Sequence, residues 1–135
     1  MREREGYKKL RIYQKAHKLA VKVHKMTLHL PKFELYEEGS QIRRSSKSVS
    51  SNIVEGYSLR RYKNEYLRYL SQSCVSSQET IEHLDYLYET NSLKEKNLYE
   101  ELNKAYNELC GMLFNFTQSV WEKHETKLFR NKIND

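Results

Sequence analysis

Residues 41–56 combine a narrow apolar seam with an unusually polar surface. The apolar residues Ile42, Val49 and Ile53 follow one another at spacings of seven and four, so they share one face of a helix. Serine occupies positions 45, 46, 48, 50 and 51. Because serine is a mediocre helix former, this density indicates that another backbone or a ligand approaches the helix closely.

Together with this stretch, which belongs to helix 2, the apolar periodicity predicts four helices. Helix 1 covers about residues 7–30, helix 2 about 37–56 and helix 3 about 62–90. A Ser-Leu-Lys-Glu capping box at 92–95 is predicted to start helix 4, which continues through Trp121.

Helices 3 and 4 carry the alternating three- and four-residue spacing that bundle cores require. The seam of helix 3 is Leu67, Leu70, Cys74, Ser77, Ile81, Leu84 and Tyr88, and that of helix 4 is Leu98, Leu102, Ala105, Leu109, Met112, Phe116 and Ser119. The connections are short, so the sequence predicts an all-α fold, an antiparallel up-down-up-down four-helix bundle. We expect a single domain over residues 1–125 and a frayed tail over 126–135.

Helix 1 is strongly amphipathic. One side carries a cationic stripe formed by Lys8, Arg11, Lys15, Lys18, Lys22 and Lys25. The opposite side is predicted to face the core with Tyr13, Ala16, His17, Ala20, His24 and Thr27, flanked by Leu10, Val21 and Leu28. The two inner histidines are seven residues apart and lack a His-x3-His spacing, so they are interpreted as core residues rather than metal ligands.

Helix 3 has an uncharged arc wider than one bundle core needs. Tyr62, Tyr66, Tyr69, Ser73, Ser76, Thr80 and Leu87 extend it beyond the seam. The chain contains eleven tyrosines, and tyrosine is frequent at protein interfaces. The arc therefore favours self-association, with the alternative that the tyrosines only cover the core.

Composition excludes several classes of function. No apolar run approaches the roughly 20 residues of a membrane span, and the basic N-terminus lacks a secretory signal. Only two cysteines occur, so a reducing cytoplasm is expected. The chain contains neither a Gly-rich phosphate loop nor a Glu-x-x-His di-iron pair, so no enzymatic activity, metal or cofactor is predicted.

Charge is divided unevenly along the chain. Residues 1–71 contain 17 Lys and Arg against 7 Asp and Glu, whereas residues 72–135 contain 7 against 11. A basic half beside an acidic half has two explanations. It is either charge complementarity within the molecule or an electrostatic footprint for a polyanion.

Several segments together resemble one family. They are Tyr13-Gln14-Lys15-Ala16-His17, then Gln41-x-Arg43-Arg44-x3-Ser48-Val49-x2-Asn52-Ile53-x-Glu55-Gly56, then Glu65-Tyr66-Leu67-Arg68-Tyr69-Leu70 and Ser76-x-x-Glu79. Over residues 7–115 the chain resembles the 23S rRNA intervening-sequence proteins, which are similar to the accessory proteins of diversity-generating retroelements. The sequence departs from the family pattern at Val75, where glycine is frequent.

The resemblance implies an up-down bundle that assembles into a ring-like homopentamer with a positively charged surface. It also implies two kinds of partner, since the retroelement relatives bind nucleic acid and a reverse transcriptase. The family name does not by itself imply a ribosomal function.

Nine cations are candidates for nucleic-acid contact. They are Arg43, Arg44 and Lys47 in helix 2, Arg60, Arg61 and Lys63 in the following turn, and Lys15, Lys18 and Lys22 in helix 1. In helix 2, Arg44, Ser48 and Ser51 point away from the apolar seam, and guanidinium and hydroxyl groups contact phosphates. Tyr57 and Tyr62, near the turn, are placed to stack on unpaired bases.

The candidate oligomer interface is Tyr62, Tyr66, Tyr69, Asn52, Glu55 and Glu79. In an alternative to phosphate contact, Arg44 pairs with Glu55 or Glu79 of a neighbouring subunit. The sequence leaves open which role Arg44, Asn52 and Glu55 play.

The residues and the resemblance together predict a non-enzymatic, homo-oligomeric protein that binds the backbone of RNA or DNA through a basic surface, as an accessory factor. Repetition of weak contacts around a ring would raise avidity. The alternative is a protein–protein adaptor that docks an acidic partner, such as a reverse transcriptase, without touching nucleic acid.

Overall fold

Four α-helices account for most of the chain in a computed structural model, which describes residues 3–134 and the side chains of residues 6–124. A 3-10 segment, Glu3–Lys9, precedes α1 (Arg11–Thr27), and a second, Lys32–Leu35, precedes α2 (Glu38–Ser58); α3 (Lys63–Glu89) and α4 (Lys96–Asn134) follow. Residues 3–134 contain no strand, so the predicted all-α class is confirmed. None of the described helices has the length and apolar content to cross a membrane.

The helix boundaries agree with the sequence for α2 and α3, whereas α1 is shorter than the predicted 7–30 and α4 begins and ends later than predicted. The Tyr99 N–H bonds the Glu95 carbonyl at 3.0 Å, and α4 begins at Lys96. The hydroxyl of Ser92 donates to Glu34 instead of capping α4, so the capping-box prediction is wrong. The backbone continues helically to Asn134. For the predicted tail, 126–135, the side chains lie outside the described residues.

Each helix packs against two others: α1 against α2 and α4, and α3 against α2 and α4. Between α2 and α3, contacts move backward along one helix as they move forward along the other, since Ser45 bonds Thr80 and Ser48 bonds Ser76. This order is consistent with the predicted antiparallel bundle.

The seam of α2 is confirmed, because Ile42, Val49 and Ile53 are completely buried. The inner face of α1 is rotated from its predicted position. Its buried residues are Ile12, Ala16, Leu19, Ala20, Val23, Met26 and Thr27. The predicted flanking residues Val21 and Leu28 are exposed.

The interpretation of the two α1 histidines as core residues is wrong. His17 is exposed, and His24 is only half-buried. The hydroxyl of Tyr13 lies 3.4 Å from Nδ1 of His17 on the surface of α1. The rotation of the inner face of α1 explains this outcome, since Ile12, Leu19, Val23 and Met26 face the core and the histidines do not.

Hydroxyl side chains line the contact between α2 and α3. Ser45 and Thr80 are hydrogen-bonded at 2.8 Å, and the Ser73 hydroxyl donates to the carbonyl of Val49 at 2.8 Å. Small side chains on both helices allow the backbones to approach, so the close partner expected from the serines of α2 is α3. Gly56 extends this approach, since a Cβ there would lie 3.1 Å from the Cβ of Tyr69.

This packing accounts for much of the wide uncharged arc on α3. Ser73, Ser76, Thr80 and Leu87 are buried inside the single chain. These residues are therefore not available for self-association, since Ser73, Ser76 and Thr80 are hydrogen-bonded to α2 and Leu87 is completely buried.

Candidate nucleic-acid interface

Two of the candidate lysines on α1 are paired with α4. Lys15 Nζ lies 3.0 Å from Glu108 Oε2, and Lys22 Nζ lies 3.0 Å from Glu101 Oε1. The hydrogen bond from Lys15 holds the pKa of Glu108 below its usual value. Seven residues separate the members of each row, so one row of lysines faces one row of glutamates. For these pairs, the uneven charge of the chain is complementarity within the molecule.

Lys18 belongs to a second row on α1. It shares an exposed face with Arg11 and Lys25, each seven residues away. None of the three side chains has an ion pair or hydrogen bond with the described part of the chain. This row is the accessible part of the predicted cationic stripe.

Arg43 is half-buried, and its guanidinium is bonded to residues of its own chain. Its guanidinium donates to Thr27 Oγ1 at 3.1 Å and to the carbonyl of Leu35 at 2.8 Å. These donors hold the connection between α1 and α2, so the assignment of Arg43 to nucleic-acid contact is corrected. The sequence showed the charge of Arg43 but not that its guanidinium is directed at Thr27 and Leu35.

The other cations of α2 remain on the surface. The ammonium of Lys47 lies 3.1 Å from Nδ1 of His24. Arg44 is exposed, and it has no side-chain partner within residues 6–124. Arg44 is therefore the one candidate on α2 whose side chain has no partner among the described residues.

The expected group of Arg44, Ser48 and Ser51 does not form a common donor surface. Ser48 is hydrogen-bonded to Ser76 at 2.9 Å and accepts the side-chain amide of Asn52 at 3.0 Å. The hydroxyl of Ser51 donates to the carbonyl of Ser48 at 3.3 Å. Ser48 serves the packing against α3, and Ser51 is exposed but uses its hydroxyl proton within the helix. Among the three, only Arg44 keeps donors without a partner in the described residues.

The turn between α2 and α3 holds Arg60 in a fixed position. Its guanidinium lies 4.0 Å from the centre of the Tyr57 ring and donates to the Tyr57 carbonyl at 3.0 Å. Nε2 of His124 hydrogen-bonds the Arg60 carbonyl and ties the turn to α4. This end of the bundle is thus anchored from two helices.

Two more cations of the turn lie over aromatic rings. Arg61 is 5.7 Å from the centre of the Tyr62 ring, and the ammonium of Lys63 is 4.3 Å from that of Trp121. The sequence indicated Trp121 only as part of helix 4. Its position beyond the apolar seam of that helix was the available signal that it lies on the surface. Its proximity to the turn depends on the fold.

Tyr66 is a core residue, which corrects its assignment to the oligomer interface. Its side chain is 6% exposed and meets the Phe116 ring edge-to-face, with centroids 6.2 Å apart. Burial raises the pKa of its phenol to about 12. A ring enclosed within one chain has little surface to offer a second copy.

The other interface candidates are spread over the surface. Asn52 and Glu79 line the same shallow groove between α2 and α3. Tyr69 is half-buried beneath Arg68, whose guanidinium lies 4.5 Å from its ring centre. Tyr62 and Glu55 are exposed, and the groove does not include them.

The described residues show no group of three or more His, Cys, Asp or Glu side chains arranged to hold a metal ion. The two cysteines are half-buried between α3 and α4, where Ser77 lies 3.1 Å from Sγ of Cys110. Burial raises the pKa of the Cys74 thiol. A thiol with a raised pKa is a weak nucleophile at neutral pH.

Comparison with known proteins extends these observations. No curated protein matches this chain. The crystal structure of a protein with unknown function from the S23 ribosomal protein family of Bacteroides thetaiotaomicron VPI-5482 is similar, with a TM-score of 0.68 and 22% sequence identity over 79% of this chain and 95% of that chain. The model of the 23S rRNA-intervening sequence protein family matches residues 8–115. The chain belongs to the 23S rRNA-intervening sequence protein family.

Proposed function

We propose that this protein is a non-enzymatic, homo-oligomeric accessory factor that binds the backbone of nucleic acid through a basic surface. Each protomer is an antiparallel up-down-up-down bundle, and the assembly is a pentamer. The observation that carries the proposal is the cluster of Arg60, Arg61 and Lys63, each placed over an aromatic ring at one end of the bundle.

Geometry supports this cluster as a phosphate-binding surface. The rings and the His124 contact restrict the turn, so binding of a phosphate costs less side-chain freedom. Arg61 is exposed, and guanidinium groups form strong charge-assisted bonds with phosphate oxygens. Arg44 and the row of Arg11, Lys18 and Lys25 add cations elsewhere on the same chain.

Oligomerisation multiplies these contacts. One protomer offers a few cations, which is a weak site at physiological salt. Five copies in a ring would repeat the cluster, and linked sites bind with far greater avidity than one site alone. The proposal therefore predicts that binding depends on the oligomer remaining intact.

The test is binding of labelled RNA and duplex DNA across a salt series, with oligomer mass measured on the same samples. The variant Arg60→Ala/Arg61→Ala/Lys63→Ala should reduce the log–log salt slope by about 0.7–0.9 for each cation that no longer meets a phosphate. The matched control, Lys94→Ala/Lys96→Ala/Lys104→Ala, removes the same charge from other exposed positions and should change the slope little.

Two outcomes would contradict the proposal. One is an intact oligomer that binds no nucleic acid near physiological salt. The other is an equal reduction of the slope in both triple variants, which would indicate a general effect of net charge. The first outcome would favour a protein adaptor that docks an acidic partner such as a reverse transcriptase.

A further inference from the structure

The surface beside the α2–α3 turn combines exposed aromatic rings with cations. Trp121 and Tyr62 are each 56% exposed. The ammonium of Lys63 lies over one ring and the guanidinium of Arg61 near the other. Exposed aromatic rings also occur elsewhere on this chain, as at Tyr36 and Phe33. The feature that distinguishes Trp121 and Tyr62 is the cation that lies beside each ring.

An apolar groove continues from Trp121 between α3 and α4. It is lined by Leu67, Ser71, Cys74, Phe114, Thr117, Gln118 and Trp121. Phe114 is also exposed, at 60%. The groove therefore offers mainly carbon surface directly beside the cations of the turn.

Single-stranded and duplex nucleic acids would use this surface differently. Both carry phosphates for the cations, but only unpaired bases have free faces that can stack on an aromatic ring. In a duplex the base faces are stacked on one another, and a surface ring adds nothing to binding. Stacking on the exposed rings would therefore strengthen the binding of an unpaired strand and not that of a duplex.

We infer that the nucleic acid bound at this turn is single-stranded, with unpaired bases stacked on Trp121 and Tyr62 while Arg60, Arg61 and Lys63 contact the backbone. This inference rests on the proposed function and names its substrate class. It adds Trp121 to the site and assigns Tyr62 to nucleic acid rather than to the oligomer interface.

The backbone of the turn is preorganised by contacts within the chain. The Tyr62 N–H donates to the carbonyl of Leu59 at 2.9 Å, which closes the turn. His124 fixes the Arg60 carbonyl to α4, three positions after Trp121. The same helix thus positions the tryptophan and anchors the turn, so the stacking surface and the cations keep a constant relation.

Trp121 provides a direct readout, because it is the only tryptophan in the chain. The experiment titrates the full-length protein with an oligothymidylate of about 20 nucleotides and with a duplex of the same length, recording tryptophan emission and the anisotropy of a labelled strand. The single strand should quench the emission in a saturable way. The duplex should leave it unchanged and bind about tenfold more weakly or worse, from stacking of one or more bases.

Variants separate stacking from charge. Trp121→Leu and Tyr62→Leu should each weaken single-strand binding at least about fivefold, with unchanged duplex binding and oligomer mass. The control Tyr36→Leu alters a side chain that is 87% exposed in the connection between α1 and α2, and it should have no effect.

The outcomes distinguish the inference from the proposed function. Equal binding of single strand and duplex with unchanged emission would overturn the inference and leave the proposed function standing. Equal weakening of both ligands by Trp121→Leu would also overturn it. Failure of both nucleic acids to bind an intact oligomer would overturn both and point to an apolar protein segment in the groove.

Discussion

The hydroxyl of Ser92 donates a hydrogen bond of 2.5 Å to Oε2 of Glu34, 58 positions earlier in the chain. The other carboxylate oxygen of Glu34 accepts the backbone N–H of Glu38 at 3.0 Å, in the first turn of α2. Glu34 is 3% exposed. One buried carboxylate therefore joins the α1–α2 connection, the start of α2 and the α3–α4 connection.

Replacing Glu34 should destabilise the fold. Glu34→Ala removes two charge-assisted hydrogen bonds and leaves the Glu38 N–H without its side-chain acceptor, so we expect a decrease of about 2 kcal/mol in the free energy of unfolding. Urea unfolding followed by circular dichroism measures it. The control Glu37→Ala changes an exposed neighbour and should stay within about 0.5 kcal/mol. Equal values for the two variants would disprove the role of Glu34.

Enlarging a hydroxyl residue between α2 and α3 should also be destabilising. Ser73 is completely buried and donates to Val49, so Ser73→Leu forces the helices apart and should lower stability by about 1–3 kcal/mol or more. Ser71→Leu places the same side chain two positions away on an exposed site. A thermal unfolding midpoint for Ser73→Leu as high as that of the Ser71 variant would exclude close packing here.

Removing the acidic row of α4 should strengthen nucleic-acid binding. Glu101→Gln/Glu108→Gln releases Lys22 and Lys15. If both lysines then meet phosphates, the log–log salt slope should steepen by about 1.4–1.8. Stability should change little, because exposed ion pairs contribute little to it.

The control for this prediction is Glu82→Gln/Glu89→Gln, which neutralises two exposed acids seven residues apart on α3. Both double variants gain the same net charge. A similar steepening in the two variants would show that net charge, and not release of the lysines, controls binding.

Alkaline pH should destabilise the protein partly through Tyr66. Its pKa is raised from 10.0 to about 12 in the folded state, so the unfolded chain loses the phenol proton first. The stabilisation linked to this group is complete below pH 10 and is lost as pH rises towards 12. Tyr66→Phe should therefore lose stability less steeply than the native protein over this range.

Urea unfolding at several pH values between about 8 and 11 measures this difference. The control Tyr36→Phe alters an exposed tyrosine and should follow the native curve. Parallel curves for the native protein and the Tyr66 variant would contradict the assignment.

The sequence predicted α2 well and α1 less well, for a physical reason. The seam of α2 contains three apolar residues on an otherwise polar helix, so only one face can be buried. On α1, the inner face was placed opposite the whole cationic stripe. Lys15 and Lys22 lie towards α4 and pair with its glutamates. Counting them as part of the outer face moved the predicted inner face away from the aliphatic residues that begin at Ile12.

The sequence identified the cations of the candidate site but not the positions and directions of their side chains. The cations of the turn are evident in the sequence, but the direction of Arg43 depends on its acceptors, Thr27 and Leu35. The pairing of Lys63 with Trp121 requires the fold of α4 over α3. Contacts between residues distant in sequence determined which cations are accessible.

The hydroxyl-lined contact between α2 and α3 also governs how the fold responds to temperature. On unfolding, exposure of apolar area raises the heat capacity, and exposure of polar area lowers it. The side chains that meet at this contact include Ser45, Ser48, Ser73, Ser76 and Thr80. Their hydroxyls reduce the heat-capacity change below that of a leucine-packed interface. The free energy of folding therefore varies more gently between cold and warm conditions.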